Sequence, residues 1–206
     1  MMIRIAPLLA FLGMLVVALP AAKAEIGDPE GFLQNFGDRA VSELTDPGVS
    51  AEEKETRFRR LLVEGFDIDA IAQFIAARYW RAASAEQRAA FVDTFKDYLV
   101  QSLLPQFDKY DGTSYAIEGV RADSNRDNIA WVTMRFDRPQ GEPVRTDWRI
   151  RKDDGAYSIL DVKAEGASMA ITLRDEYNAV MRREGGLEGL IRVMREQLAK
   201  GAYKHS

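Results

Sequence analysis

Four runs of alternating apolar and polar residues occupy the middle of the chain and constrain its fold most strongly. They cover residues 115–119, 130–136, 144–151 and 157–164. Successive side chains of a strand point to opposite faces, so each run predicts a strand with one apolar face. The short connections are rich in Asn, Asp and Gly, which favour hairpins. The pattern predicts an antiparallel, four-stranded meander.

Helical patterns flank this meander on both sides. Before it, four helices are predicted from their capping residues, which are Asp28 ahead of Pro29, Ser50 with Glu53, Asp67, and Ser84 with Gln87. The fourth helix is long and amphipathic, and Pro105 is expected to kink or end it. After the meander, two more helices are predicted, separated at Gly185-Gly186. Helices and strands are segregated along the chain, which is typical of the α+β class.

The N-terminal residues have the pattern of an export signal. Arg4 supplies a positive charge, residues 5–19 are apolar, and Ala22-Lys23-Ala24 presents small residues at a cleavage site. The apolar run is too short for a membrane span, and the chain contains no Cys that would carry a lipid anchor. We therefore expect residues 1–24 to be a cleaved signal peptide and residues 25–206 to form a single soluble domain.

The charge of the chain argues against nucleic acid as a partner. The formal net charge is −4 for the whole sequence, and it becomes −6 without residues 1–24, which contain Arg4 and Lys23 but no acid. An acidic surface repels phosphate backbones. We therefore expect no binding of nucleic acid.

The chain offers little catalytic chemistry. It has no Cys, and its one His is His205 in the tail, which excludes Cys–His and Ser–His–Asp arrangements and the usual zinc sites. It has no glycine-rich phosphate loop and no Gly-x-Ser-x-Gly motif. Glu118, Asp161 and Glu165 leave a carboxylate-only acid–base enzyme as an alternative, although no spacing singles out a pair. We expect a protein without enzymatic activity, without a metal and without a cofactor.

Apolar surface is what the sequence offers in quantity. Aromatic residues make up 10% of the chain and recur on the inward faces of nearly all predicted elements. A curved sheet wrapped by about six helices has more inward surface than one packed layer needs, and such a geometry often encloses a ligand cavity. Met134, Met169 and Met181 would give this cavity adaptable walls. For any single residue, plain core packing is the alternative.

Two segments resemble a known family. Residues 147–191, DWRIRKDDGAYSILDVKAEGASMAITLRDEYNAVMRREGGLEGLI, contain a tryptophan strand, a Gly turn, and a strand that ends in Asp161-Val162 and leads through Glu165-Gly166 to Ser168 and a helix. Residues 78–99, RYWRAASAEQRAAFVDTFKDYL, form the second segment. Together they resemble the MlaC family, the periplasmic phospholipid-binding or toluene-tolerance proteins. The resemblance spans essentially all of the chain after residue 24, although Ala77 stands where the family commonly has Gly.

This resemblance implies a soluble periplasmic carrier, auxiliary to an ABC transporter, that helps to maintain outer-membrane lipid asymmetry. Its implied partners are a phospholipid as cargo, an outer-membrane lipoprotein complex and the substrate-binding complex of an inner-membrane ABC transporter. Acyl chains would lie between the sheet and the helices, with the head group in solvent. A family relative that carries another lipid, such as a hopanoid, is the alternative. The side chains expected to contact the lipid are Phe74, Phe91, Phe95, Leu99, Leu103, Tyr115, Val132, Met134, Trp148, Ile150, Ile159, Met169, Leu173 and Tyr177.

The step from the last strand to the following helix is very short. Gly166 suits a sharp turn and Ser168 suits an N-cap, so the angle between sheet and helix is expected to form one wall of the lipid slot. Arg145, Arg149 and Arg151 alternate with the residues predicted to face the lipid. We expect these arginines on the opposite face, either solvated or docked on acidic surfaces of partner complexes.

Overall fold

The computed structural model describes residues 26–108, 112–138 and 141–201. The predicted signal peptide, part of the predicted turn at residues 138–141 and the end of the tail, including His205, therefore lie outside the described residues.

Seven helices and five strands follow one another in these described ranges. They are α1 (Pro29–Leu44), α2 (Ala51–Gly65), α3 (Ile68–Ala76), α4 (Arg78–Ala82), α5 (Ala85–Asp108), β1 (Tyr115–Ala122), β2 (Ile129–Phe136), β3 (Val144–Asp153), β4 (Ala156–Ala164), β5 (Ala167–Ser168), α6 (Met169–Glu184) and α7 (Leu187–Ala199). The strands form one curved antiparallel sheet in the order β1-β2-β3-β4-β5. The predicted α+β class and meander are confirmed. None of the described helices is long and apolar enough to cross a membrane.

The predicted capping residues start the helices as expected. The backbone N–H of Gly31 donates to Asp28 at 2.7 Å. Ser84 and Gln87 form a complete capping box, in which each backbone N–H donates to the side chain of the other residue, at 3.0 and 3.2 Å. These contacts are local in sequence, which explains why the sequence alone predicts the helix starts.

Three local features differ from the sequence prediction. A two-residue fifth strand, β5, pairs with β4 across the Glu165-Gly166 turn, where both residues have positive φ. The long helix α5 does not end at Pro105 but continues to Asp108, and its last turn is held by Phe107, whose ring lies 5.8 Å from that of Phe58. The predicted third helix is divided into α3 and α4 at Ala77, which gives seven helices instead of six.

The division at Ala77 comes from an unfavourable backbone conformation. Ala77 has φ 51° and ψ −119°, a combination that glycine adopts far more easily than a residue with a Cβ. We therefore expect Ala77→Gly to raise the free energy of unfolding by about 1 kcal/mol, because relief of the strain exceeds the entropy cost of glycine. Thermal unfolding measures this as a higher Tm. The adjacent control, Ala76→Gly in the last turn of α3, is expected to lower the Tm.

A β-bulge interrupts the pairing of β3 and β4 where the sheet meets the helices. Ile150 pairs with Ile159, whereas Arg149 pairs with Asp161, so Leu160 is an extra residue in β4. This insertion places Ile159 and Val162 on the same face although they are an odd number of residues apart. The backbone of Asp67, before α3, donates to the carbonyl of Ile159 at 3.0 Å. The bulge thus fixes the helical layer against β4.

Two hydrophobic clusters form the core of the described residues. The larger one joins α1, α2, α3, α5, α6 and α7. The smaller one packs Leu33 of α1 against Val132, Met134, Ile150 and Ile159 of the sheet. Phe36 and Phe66 pack against both clusters. The junction of the two clusters therefore lies under α1 and beside the bulge in β4.

Candidate functional site

An apolar cavity of about 270 Å³ lies at this junction of the two clusters. Helices α1, α2, α3, α5 and α6 and strands β3 and β4 contribute to its walls. Its lining comprises Phe36, Ala40, Phe58, Leu61, Leu62, Phe66, Ile71, Phe95, Leu99, Leu103, Gln106, Phe107, Trp148, Leu160, Asp161, Val162, Met169, Ala170 and Leu173. Gln106 and Met169 are exposed to solvent, so the cavity reaches the surface near the end of α5 and the start of α6.

Aromatic side chains form one continuous wall of the cavity. The Phe66 ring lies 5.8 Å from that of Phe36 and 6.4 Å from that of Trp148, measured between ring centroids. The indole N–H of Trp148 donates to Thr146 at 2.8 Å, so the polar atom of this large side chain has a partner and its apolar body is left for the cavity. This wall therefore presents apolar surface to the cavity, and its indole N–H is already engaged.

Asp161 is the one carboxylate among the described residues that line the cavity, and it is engaged in fixing α6. Its carboxylate accepts the hydroxyl of Ser168 at 2.6 Å and the backbone N–H of Ala170 at 3.0 Å. Ser168 in turn accepts the N–H of Ile171 at 3.1 Å and is the N-cap of α6. The carboxylate lies at the N-terminus of a helix, where negative charge is favourable. Asp161 and Ser168 of the sequence motif therefore have a structural role, which is to fix the start of α6.

Loss of the Asp161 carboxylate is therefore expected to affect stability first. Asp161→Ala leaves two donors at the start of α6 without their acceptor, and we expect the free energy of unfolding to fall by about 2 kcal/mol. Chemical denaturation measures this change. Asp161→Asn keeps one acceptor oxygen and is expected to lose about half as much. A midpoint of unfolding unchanged in Asp161→Ala would contradict this role.

The other candidate carboxylates do not line the cavity. Glu118 lies on the sheet and pairs with Arg145 at 2.7 Å and Arg135 at 3.2 Å, and the hydrogen bond from Arg145 lowers the pKa of Glu118 below its ordinary value. Glu165 is an exposed turn residue. The described ranges contain no group of three or more His, Cys, Asp or Glu side chains placed to hold a metal ion. The described residues of the site offer apolar surface, and no acid–base pair is arranged among them.

The structure brings six of the fourteen residues predicted to contact the ligand into this cavity, namely Phe95, Leu99, Leu103, Trp148, Met169 and Leu173. Phe91 and Tyr177 are buried in the larger cluster instead, and four others, Val132, Met134, Ile150 and Ile159, lie in the smaller cluster with Tyr115 packed against it. Phe74 is 41% exposed on a different surface of the helical layer.

The cavity residues that sequence reasoning missed come mainly from α1 and α2 and from the bulge. Ala40, Phe58 and Leu61 belong to apolar helix faces that are visible in the sequence, so their burial was predictable. Their position at a cavity was not, because helical periodicity shows which residues face inward but not what they face. Leu160 is placed by a bulge, for which the alternating pattern gives no signal.

The arginines of β3 lie on the face expected from alternation, and they are paired. Arg149 contacts Asp123 at 3.3 Å, and Arg151 pairs with Asp67, the N-cap of α3. Arg145 pairs with Glu118. These contacts join neighbouring elements of the same chain and leave little uncompensated charge for an acidic partner.

The comparisons with known proteins agree with this fold. The profile of the MlaC protein family matches residues 34–196. The toluene tolerance protein ttg2D of Pseudomonas putida is 22% identical over 176 residues, covering 83% of this chain and 81% of that protein. The phospholipid-binding protein of Ralstonia solanacearum, solved in complex with a phospholipid, superposes with a TM-score of 0.75 at 22% identity, covering 84% of this chain and 97% of that one. Since the family profile matches most of the sequence, this chain belongs to the MlaC family.

Proposed function

We propose that this protein is a periplasmic phospholipid carrier that holds the acyl chains of its cargo in the apolar cavity. It would receive and deliver the lipid at an outer-membrane lipoprotein complex and at the substrate-binding complex of an inner-membrane ABC transporter. The observation that carries this proposal is the cavity at the junction of the two clusters, with its apolar lining and its aromatic wall. The phospholipid bound to the Ralstonia solanacearum protein and the signal pattern of residues 1–24 support it.

The energetics of lipid transfer require such a cavity. Two acyl chains carry roughly 30 methylenes, and each costs about 0.8 kcal/mol in water, so a free lipid costs on the order of 20 kcal/mol. A carrier replaces the bilayer by apolar contacts and needs no catalytic group. A volume of about 270 Å³ lies below most sites that enclose a drug-sized molecule, so acyl chains enter as adaptable side chains such as Met169 move aside.

Mass spectrometry of the lipids extracted from protein purified without detergent tests this function. We expect a phospholipid at close to one per protein, and its head group and chains identify the cargo. If the extract contains a hopanoid or another non-phospholipid instead, the proposed cargo changes to that lipid. Protein that carries no lipid and takes up none from liposomes would overturn the carrier function and leave the fold unaffected.

A further inference from the structure

A second concave surface, here called the arginine cleft, lies between α3, α4 and α6. It has a volume of about 740 Å³ and is lined by four arginines, Arg78 and Arg81 of α4 and Arg174 and Arg182 of α6. Asp175 is the one acidic residue among the described residues that line it. The cleft is therefore strongly cationic on a chain whose formal net charge is −4.

These four arginines lack the ion pairs that most arginines of the described ranges make. Arg192, for example, contacts Glu184 at 2.8 Å and Glu196 at 3.2 Å, whereas none of the four in the cleft is paired with a described carboxylate. The guanidinium of Arg174 lies 4.8 Å above the ring of Phe74. Uncompensated guanidinium groups attract anions and bind phosphate or carboxylate oxygens in a bidentate manner. The cleft is therefore built to receive an anionic group.

Exposed apolar side chains border the arginine cleft. Phe74 is 41% exposed and lines the cleft, and Ile171, one turn before Arg174 on α6, is 53% exposed. Both also line a neighbouring pocket whose wall includes Leu160 and Ala170. These last two residues line the apolar cavity as well. Cationic groups, exposed apolar groups and the wall of the cavity thus meet on one side of the molecule.

We propose that the arginine cleft, with Phe74 and Ile171, docks this protein on a bilayer that carries anionic phospholipids. Head-group phosphates enter the cleft while the two apolar side chains insert at the level of the head groups. Surfaces that bind a membrane interface combine exposed apolar side chains with neighbouring cations. Charge complementarity alone would also suit an acidic protein, but the exposed Phe74 and Ile171 favour the lipid surface. Docking is separate from cargo binding and is measured separately.

Co-sedimentation with vesicles tests this proposal. The protein without its predicted signal peptide, residues 25–206, is mixed with phosphatidylcholine vesicles with or without phosphatidylglycerol, at low and high salt. We expect binding to the anionic vesicles only, weakened by salt. The double variant Arg81→Gln, Arg182→Gln is expected to bind about 30-fold more weakly, as follows from removing two cations from an anionic membrane surface. Phe74→Ser is expected to weaken binding as well.

A matched control removes the same charge elsewhere. Arg145→Gln, Arg192→Gln neutralises two arginines that are paired in the structure, and we expect its vesicle binding to equal that of the wild type. Equal losses in both double variants, or no preference for anionic vesicles, would overturn the proposal. Binding to polyglutamate without binding to vesicles would also overturn it and assign the cleft to an acidic protein. The lipid content of each variant is measured in parallel. It shows whether a variant has lost cargo binding, separately from its binding to vesicles.

Discussion

Replacing Gly189 by Ala is expected to lower the free energy of unfolding by at least about 3 kcal/mol, a large loss for a single methyl group. Gly189 is buried in the first turn of α7. A Cβ at this position would lie 1.9 Å from the carbonyl oxygen of Glu184 and 2.6 Å from its carbonyl carbon. These are backbone atoms at the end of α6, so they cannot rotate away. The turn between α6 and α7 has to open to accommodate the methyl group.

The measurement is the Tm of the variant, which for a domain of this size is expected to fall by about 6–12 °C. Gly119→Ala is the control, because a Cβ at Gly119 meets no atom within 4 Å, and we expect its Tm to stay close to that of the wild type. Since α6 supplies Met169 and Leu173 to the cavity wall, Gly189→Ala is also expected to reduce lipid content. A wild-type Tm in Gly189→Ala would contradict the close approach of α6 and α7.

The parts of the fold that the sequence predicts are those set by neighbours along the chain. Asp28, Ser50 and Ser168 cap helices because their side chains reach backbone N–H groups three residues later. The strands follow from alternation, and their order follows from short hairpins. The family resemblance rests on the same segments, since the Asp161–Ser168 contact that fixes α6 is part of the motif.

The cavity depends on how distant segments cross, which periodicity does not encode. Val132, Met134, Ile150 and Ile159 face inward as predicted, but Leu33 of α1 packs on them, so the cavity lies further along the sheet, near Trp148 and Val162. The bulge at Leu160 changes which residues of β4 face the helices. At Ala77 the backbone adopts a positive φ that alanine disfavours. The apolar spacing from Ile68 to Tyr79 continues across this residue, so periodicity predicted one helix where the structure has two.

Filling the cavity is expected to remove the cargo and leave the protein folded. Ala40 lines the cavity from α1 and is 7% exposed, so the ring of Ala40→Phe occupies space that the acyl chains would use. A ring that displaces roughly four methylenes removes about 3 kcal/mol of binding free energy, or about a hundredfold in affinity. Mass spectrometry of extracted lipid is therefore expected to show little phospholipid per protein, and fluorescent-lipid uptake from liposomes is expected to fall accordingly.

Two further variants separate cavity filling from unfolding. Ala89→Phe makes the same substitution at an exposed position of α5 and is expected to keep normal lipid content. Leu99→Trp adds bulk to the cavity from α5 and is expected to cause the same loss of lipid as Ala40→Phe. Because the added rings replace empty space with van der Waals contacts, both cavity variants are expected to unfold at or near the wild-type Tm. Normal lipid content in both cavity variants, at an unchanged Tm, would place the acyl chains elsewhere in the molecule.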